Sequence, residues 1–228
     1  MGVVMQASQR ATQRVAGGLF IAATVASIAG SAVQGSILDG RDYLNGLASH
    51  DGRLIVAALL YIVAAVSAVG TSILLFPFLR PQSNSGALGY VVMRVFENLL
   101  YVGGSVVMLA MLTVSQDEVH AMPSSDSALD GAALLGLQTW SVAVGTLLFA
   151  GGGAWILNLL LYRSQLVPRW LSAWGLAGAL LLVVYGVAAV MGGGTEMGST
   201  LMLLAMPIAV QEMVFAGWLI VKGLQPSG

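Results

Sequence analysis

Apolar residues along this chain gather into six runs, each of ~20 residues or more, separated by short polar stretches. A helix of that length crosses the ~30 Å hydrocarbon core of a bilayer at a rise of ~1.5 Å per residue. The pattern predicts an all-α fold: an integral membrane bundle of six transmembrane helices, with spans at about 15–33, 54–79, 89–114, 132–161, 169–191 and 199–222. Little chain is left over for a soluble unit, so the expectation is a single membrane domain over residues 1–228.

The stretches between the runs refine this picture. Residues 1–14 read as a polar lead-in. The first run exceeds the ~7–15 apolar residues of a signal peptide and is followed by five more, which makes it a retained helix. In it Gly18, Ala22, Ala26 and Gly30 recur every fourth residue, with Ala23, Ser27 and Ser31 beside them, a stripe that lets helices approach closely in lipid. The longest polar connection, 34–53, carries Ile37, Leu38, Tyr43, Leu44 and Leu47 at spacings that suit a short surface helix. Arg80 to Gly86 is rich in helix breakers and reads as a tight turn. Gly151, Gly152 and Gly153 are placed to bend the fourth span or admit a neighbour, Pro168 suits the first turn of the fifth, and Pro207 lies within the sixth.

Charge orients the bundle. Arg10, Arg14, Arg80, Arg163, Arg169 and Lys222 all fall on one side of six alternating spans, against Arg41 and Arg53 on the other. The second side instead holds Asp39, Asp42, Asp51, Asp117, Glu118, Asp126, Asp130 and Glu196. The positive-inside rule then puts both termini in the cytoplasm of a multi-pass protein of the cell (inner or plasma) membrane.

Composition narrows the chemistry. Charged residues are 8% of the chain, against ~25% in soluble domains. Cys is absent, which removes disulfides, thiol catalysis and iron–sulfur clusters. A net charge of −1 gives no bulk attraction to nucleic acid. His50 and His120 fall in outer connections, so paired haem ligation within the bilayer is not expected, and the outer acids read as solvated loops rather than a metal site. No cofactor is expected. The expected partners are the lipid bilayer, a small-molecule or proton ligand, and a membrane-protein partner or second copy of the chain.

Against that background one stretch stands apart. Tyr90 to Tyr101 lies inside the third apolar run yet carries Arg94, Glu97 and Asn98. An ionisable group at the centre of a span costs ~2.5–3.5 kcal/mol on insertion scales, so it faces a partner or a wet cavity. Arg94 and Glu97, three residues apart, share a helix face. Counted from the expected span ends, they lie ~7 and ~12 Å from the basic side, and Glu212 of the last run ~15 Å from that same side. Asn158 and Gln211 fall at compatible depths. The candidate site is therefore Arg94, Glu97, Asn98, Asn158, Gln211 and Glu212.

Three motifs resemble a bacterial membrane family catalogued as domain of unknown function 4386: Leu88 to Glu97 (LGYVVMRVFE), Leu161 to Gly175 (LYRSQLVPRWLSAWG), and Pro207 to Gly223 (PIAVQEMVFAGWLIVKG). Arg14 to Gly17 fits the family's start as well. The resemblance implies a six-helix integral membrane protein and no activity. The leading functional reading is binding or movement of a small solute or proton through a cytoplasm-facing pocket lined by the Arg/Glu cluster. The alternatives are an accessory or scaffolding subunit whose charges only join helices, and a membrane enzyme using a Glu as general base on a lipid-like substrate.

Overall fold

The computed structural model of the protein describes residues 2–38, 47, 50–120, 125–192 and 203–225. Among them the regular structure is helical, with no strand: α1 (Gly2–Gln34), α2 (Asp51–Leu79), α3 (Asn84–His120), α4 (Ser125–Leu148), a π-helical segment (Phe149–Ala154), α5 (Trp155–Ser164), α6 (Arg169–Met191), a 3-10 turn (Leu203–Ala205) and α7 (Met206–Val221). The π segment joins α4 to α5 without a break, so the two helices form one rod. Six stretches are long and apolar enough to cross a membrane: Gln6–Gln34, Asp51–Leu79, Asn84–Gln116, Leu129–Ser164, Arg169–Met191 and Leu203–Val221.

The six rods close into a ring. Each packs on the next along the chain, and α7 returns to α1. Small residues make the closing contact tight: a Cβ at Gly17 of α1 would come within 2.7 Å of the Ala216 carbonyl oxygen of α7, and Phe20 meets Phe215 edge to face at 5.6 Å. The α1–α2 pair uses the same device at Gly30, which lies against the Tyr61 ring, while the Tyr61 hydroxyl donates to Gln34 Oε1 at 3.0 Å.

Two apolar cores sit at opposite ends. One gathers Ala16 from midway along α1 with Leu79, Ala87, Leu161, Leu171 and Leu219 from near the start or end of the other rods. All the basic residues of the first group above belong to this end. The other core joins Leu38, Leu47, Leu54, Met111 and Leu112. At each end an arginine closes a helix by donating to its last carbonyls, which also suits the negative pole of the helix dipole. Arg10 reaches the Val221 oxygen of α7, and Arg53 donates to the Val33 oxygen of α1 at 2.9 and 3.2 Å. Beside Arg10, Gly223 takes a φ of +74°, so its N–H turns back to the Trp218 oxygen at 2.8 Å.

The faces are inverted relative to a water-soluble protein. On α3, Leu88, Val92, Phe96 and Leu99 point outward, while Arg94, Glu97 and Asn98 are buried. In water such an outer surface would be one large apolar patch; in hydrocarbon it is the stable arrangement.

Several local expectations are corrected. The lead-in is not separate from the first span: α1 begins at Gly2, because residues 2–14 contain no Pro and no further Gly, and Arg10 and Gln13 anchor them to the end of α7. The turn between α2 and α3 ends at Ser83, whose hydroxyl accepts the Gly86 N–H at 3.1 Å and caps α3. Helix α3 therefore starts five residues before the expected span. Gly18 faces outward, with nothing near it; Gly17, one position earlier, makes the close contact. Pro207 does not interrupt the last helix but sits in its first turn, where its missing N–H costs nothing. Of the expected surface helix, Tyr43 and Leu44 lie outside the described residues, while Leu38 and Leu47 are buried in the second core.

Candidate functional site

Helix α3 carries the site because its inward face is read every third or fourth residue: Tyr90, Arg94, Glu97, Asn98 and Tyr101. Tyr90, Arg94, Glu97 and Asn98 are buried, and Arg94 is only 6% exposed and Glu97 4%. Arg94 Nη1 donates to both carboxylate oxygens of Glu97, at 3.2 and 3.0 Å. Asn98 Nδ2 donates to the Arg94 carbonyl oxygen at 2.7 Å, so its amide stabilises the helix rather than a charge. The ion pair lies within one helix. It neutralises charge inside the ring and does not tie two spans together.

The π segment forms the wall opposite. The Arg94 guanidinium carbon sits 5.0 Å from the centre of the Phe149 ring, a cation–π contact. Gly153 lies against the aliphatic stem of Arg94: a Cβ there would come within 3.0 Å of Cδ and 3.6 Å of Glu97 Oε2. Gly152 lies as close to Met93. The glycine run thus admits a neighbour, as its composition suggests, and the neighbour is the charged face of α3. π turns inside α-helices recur at functional sites.

A second polar group lies beside the first. Gln211 of α7, 2% exposed, donates through Nε2 to Asn158 Oδ1 of α5 at 3.2 Å and to the Leu171 oxygen of α6 at 3.3 Å. Asn158 Nδ2 donates to the Ala154 oxygen at 2.9 Å, and its carboxamide presses on Gly175 of α6. This network does join helices. It separates Asn158 and Gln211 from the charged residues: they tie α5, α6 and α7.

Glu212, next to Gln211, is half-buried. The charge of Arg94 acts on it, and its own charge reaches Glu97, Tyr90 and Tyr101. Among the described residues it makes no ion pair; the single ion pair of the cluster is Arg94–Glu97. Helices α3 and α7 are not among the closely packed helix pairs. Arg94 Nε is buried without a hydrogen-bond partner among the described residues.

Depth also changes. Arg94 lies ten residues after the start of α3, ~15 Å along the helix axis, and Glu212 nine residues before the end of α7, ~14 Å. Arg94 lies farther along its helix than the expected span limits placed it. Sequence reasoning gives Tyr90, Tyr101 and Phe149 no role in the site and marks Gly153 only as part of the glycine run. Tyr90 and Tyr101 were available from the 3.6-residue period that selects Arg94 and Glu97, and Gly153 from the glycine run. Nothing local marks Phe149.

Six membrane-competent helices in a ring, with an Arg–Glu pair and a further Glu inside, define a multi-pass membrane architecture with a charged interior. Residues 15–223 match the family model described as Domain of unknown function (DUF4386), and the chain belongs to that family. No curated protein and no solved structure matches the chain.

Proposed function

We propose that the protein binds and moves a proton or small solute through the interior of the ring, by way of a pocket that opens toward the basic, cytoplasmic end. The observation that carries this reading is a charge imbalance. One guanidinium, Arg94, faces two carboxyl groups, and its ion pair is with Glu97. A buried cluster of two acids and one base is neutral only when it also holds a proton or another positive charge. Ionisable groups inside spans mark ion and proton paths for the same reason.

The scaffolding alternative is supported by one feature, the Gln211–Asn158–Leu171 network, which joins three helices. That network joins three helices without using the charges, whereas the Arg94–Glu97 ion pair lies within one helix. The division of labour favours transport for the charges and cohesion for the amides.

The test uses the purified full chain in liposomes with a trapped pH-sensitive dye and an imposed membrane potential. The account expects proton movement above that of empty liposomes, lost in Arg94→Gln and in Glu212→Gln. Equal signals from empty liposomes, wild type and both variants would remove the reading.

A further inference from the structure

Resting on the transport reading, we propose that Glu212 is the group that takes up and releases the proton, while Arg94 and Glu97 remain an ionised pair that positions it. Three observations separate the two acids. Glu97 receives two hydrogen bonds from Arg94 Nη1, at 3.2 and 3.0 Å, which hold it as a carboxylate. Glu212 makes no ion pair among the described residues, so its charged form lacks a direct partner in a low-dielectric interior. Glu97 is 4% exposed and closed in by Gly153, whereas Glu212 is the less buried of the two.

The same packing names the ligand class. A Cβ at Gly153 would meet Arg94 Cδ at 3.0 Å, and a Cβ at Gly152 would meet Met93 at 2.8 Å. Side chains already fill the space beside the ion pair, and a proton needs none. The groups electrostatically coupled to Glu212 are Arg94 and Glu97, with the phenols of Tyr90 and Tyr101. The helices packed on α7 add little: α1 brings Arg10 and Arg14, and α6 brings Arg169 and Tyr185, with all three arginines at the basic end. The step is simple in its balance. The O–H bond of the Glu212 carboxyl breaks, the proton passes to water at the basic end, and the cluster is left with one net negative charge that the next proton neutralises, with no change of oxidation state.

Infrared difference spectra of the full chain in liposomes, recorded on stepping from acid to alkaline buffer with isotope-labelled glutamate, read this directly. The expected wild-type signal is loss of a buried carboxyl C=O band. That band should vanish in Glu212→Gln and persist in the double variant Arg94→Gln/Glu97→Gln, which removes the ion pair as a unit. Glu212→Asp should restore a shifted, unlabelled band, which shows that loss in Glu212→Gln is not misfolding. A band that survives Glu212→Gln overturns the assignment. If the dye signal in liposomes persists in that case, the transport reading stands and only the choice of Glu212 fails; if the band behaves as expected but no proton crosses, the transport reading fails instead.

Discussion

Replacing Gly175 by Ala tests how tightly the amide network is built. A Cβ at this position would fall inside the Asn158 carboxamide, 2.6 Å from Nδ2 and closer to Oδ1. Either Asn158 leaves its place or α6 backs away from α5. If Asn158 moves, its 3.2 Å bond from Gln211 is lost. Side-chain hydrogen bonds between membrane helices are worth ~0.6 kcal/mol on average and ~1.7 at most. Overpacking a filled site costs ~1–3 kcal/mol, so the steric effect is the larger, and the expected total is ~2–4 kcal/mol. The decisive comparison is with Asn158→Ala, which removes the clash and the bond together. In that background Gly175→Ala should cost less than ~1 kcal/mol, a coupling well beyond additivity. Reversible unfolding in mixed detergent and denaturant measures all four proteins. An equal cost of Gly175→Ala in both backgrounds would refute the claim that Asn158 is what Gly175 makes room for.

Other predictions follow from the same contacts. Arg94→Ala leaves the buried Glu97 carboxylate uncompensated and should lower stability by ~3–5 kcal/mol, with Glu97→Gln in the same chain recovering much of the loss; a double-mutant cycle in detergent checks this. Gly17→Leu should destabilise strongly, because the site faces the Ala216 carbonyl, whereas Gly18→Leu should change the melting temperature little; equal shifts for the pair would contradict the α1–α7 packing. Reporter fusions after Gln82 and Gln165 should report the cytoplasm and a fusion after Ser125 the outside; one clear reversal would undo the assigned orientation.

How much of this was legible beforehand depends on the range of the interaction involved. The helical class and six spans follow from hydrophobic run length, a property of each segment alone. The Arg94–Glu97 pair follows from a spacing of three on one helix. The start of α3 was missed because Asn84, Ser85 and Gly86 look like a turn, and only the Ser83 cap shows that they begin a helix. Every-fourth spacing selects Gly18 for packing because it fixes a stripe but not its direction; contact with Ala216 selects Gly17. The split between charged and amide groups was invisible, because Asn158, Gln211 and Glu212 were placed by depth alone. Depth does not say that Gln211 turns to Asn158 and the Leu171 carbonyl while its neighbour Glu212 is coupled to the Arg94 charge.

The central claim is that Glu212 lies in an interior reached from the basic end, not in a dry seam. The chain has no cysteine, so Glu212→Cys introduces the sole thiol. In oriented vesicles a charged, membrane-impermeant thiol reagent should label that residue when added on the basic side and fail to do so from the opposite side. Protection of the thiol from both sides, with labelling only after the protein is unfolded, would contradict the account and return the cluster to a purely structural role.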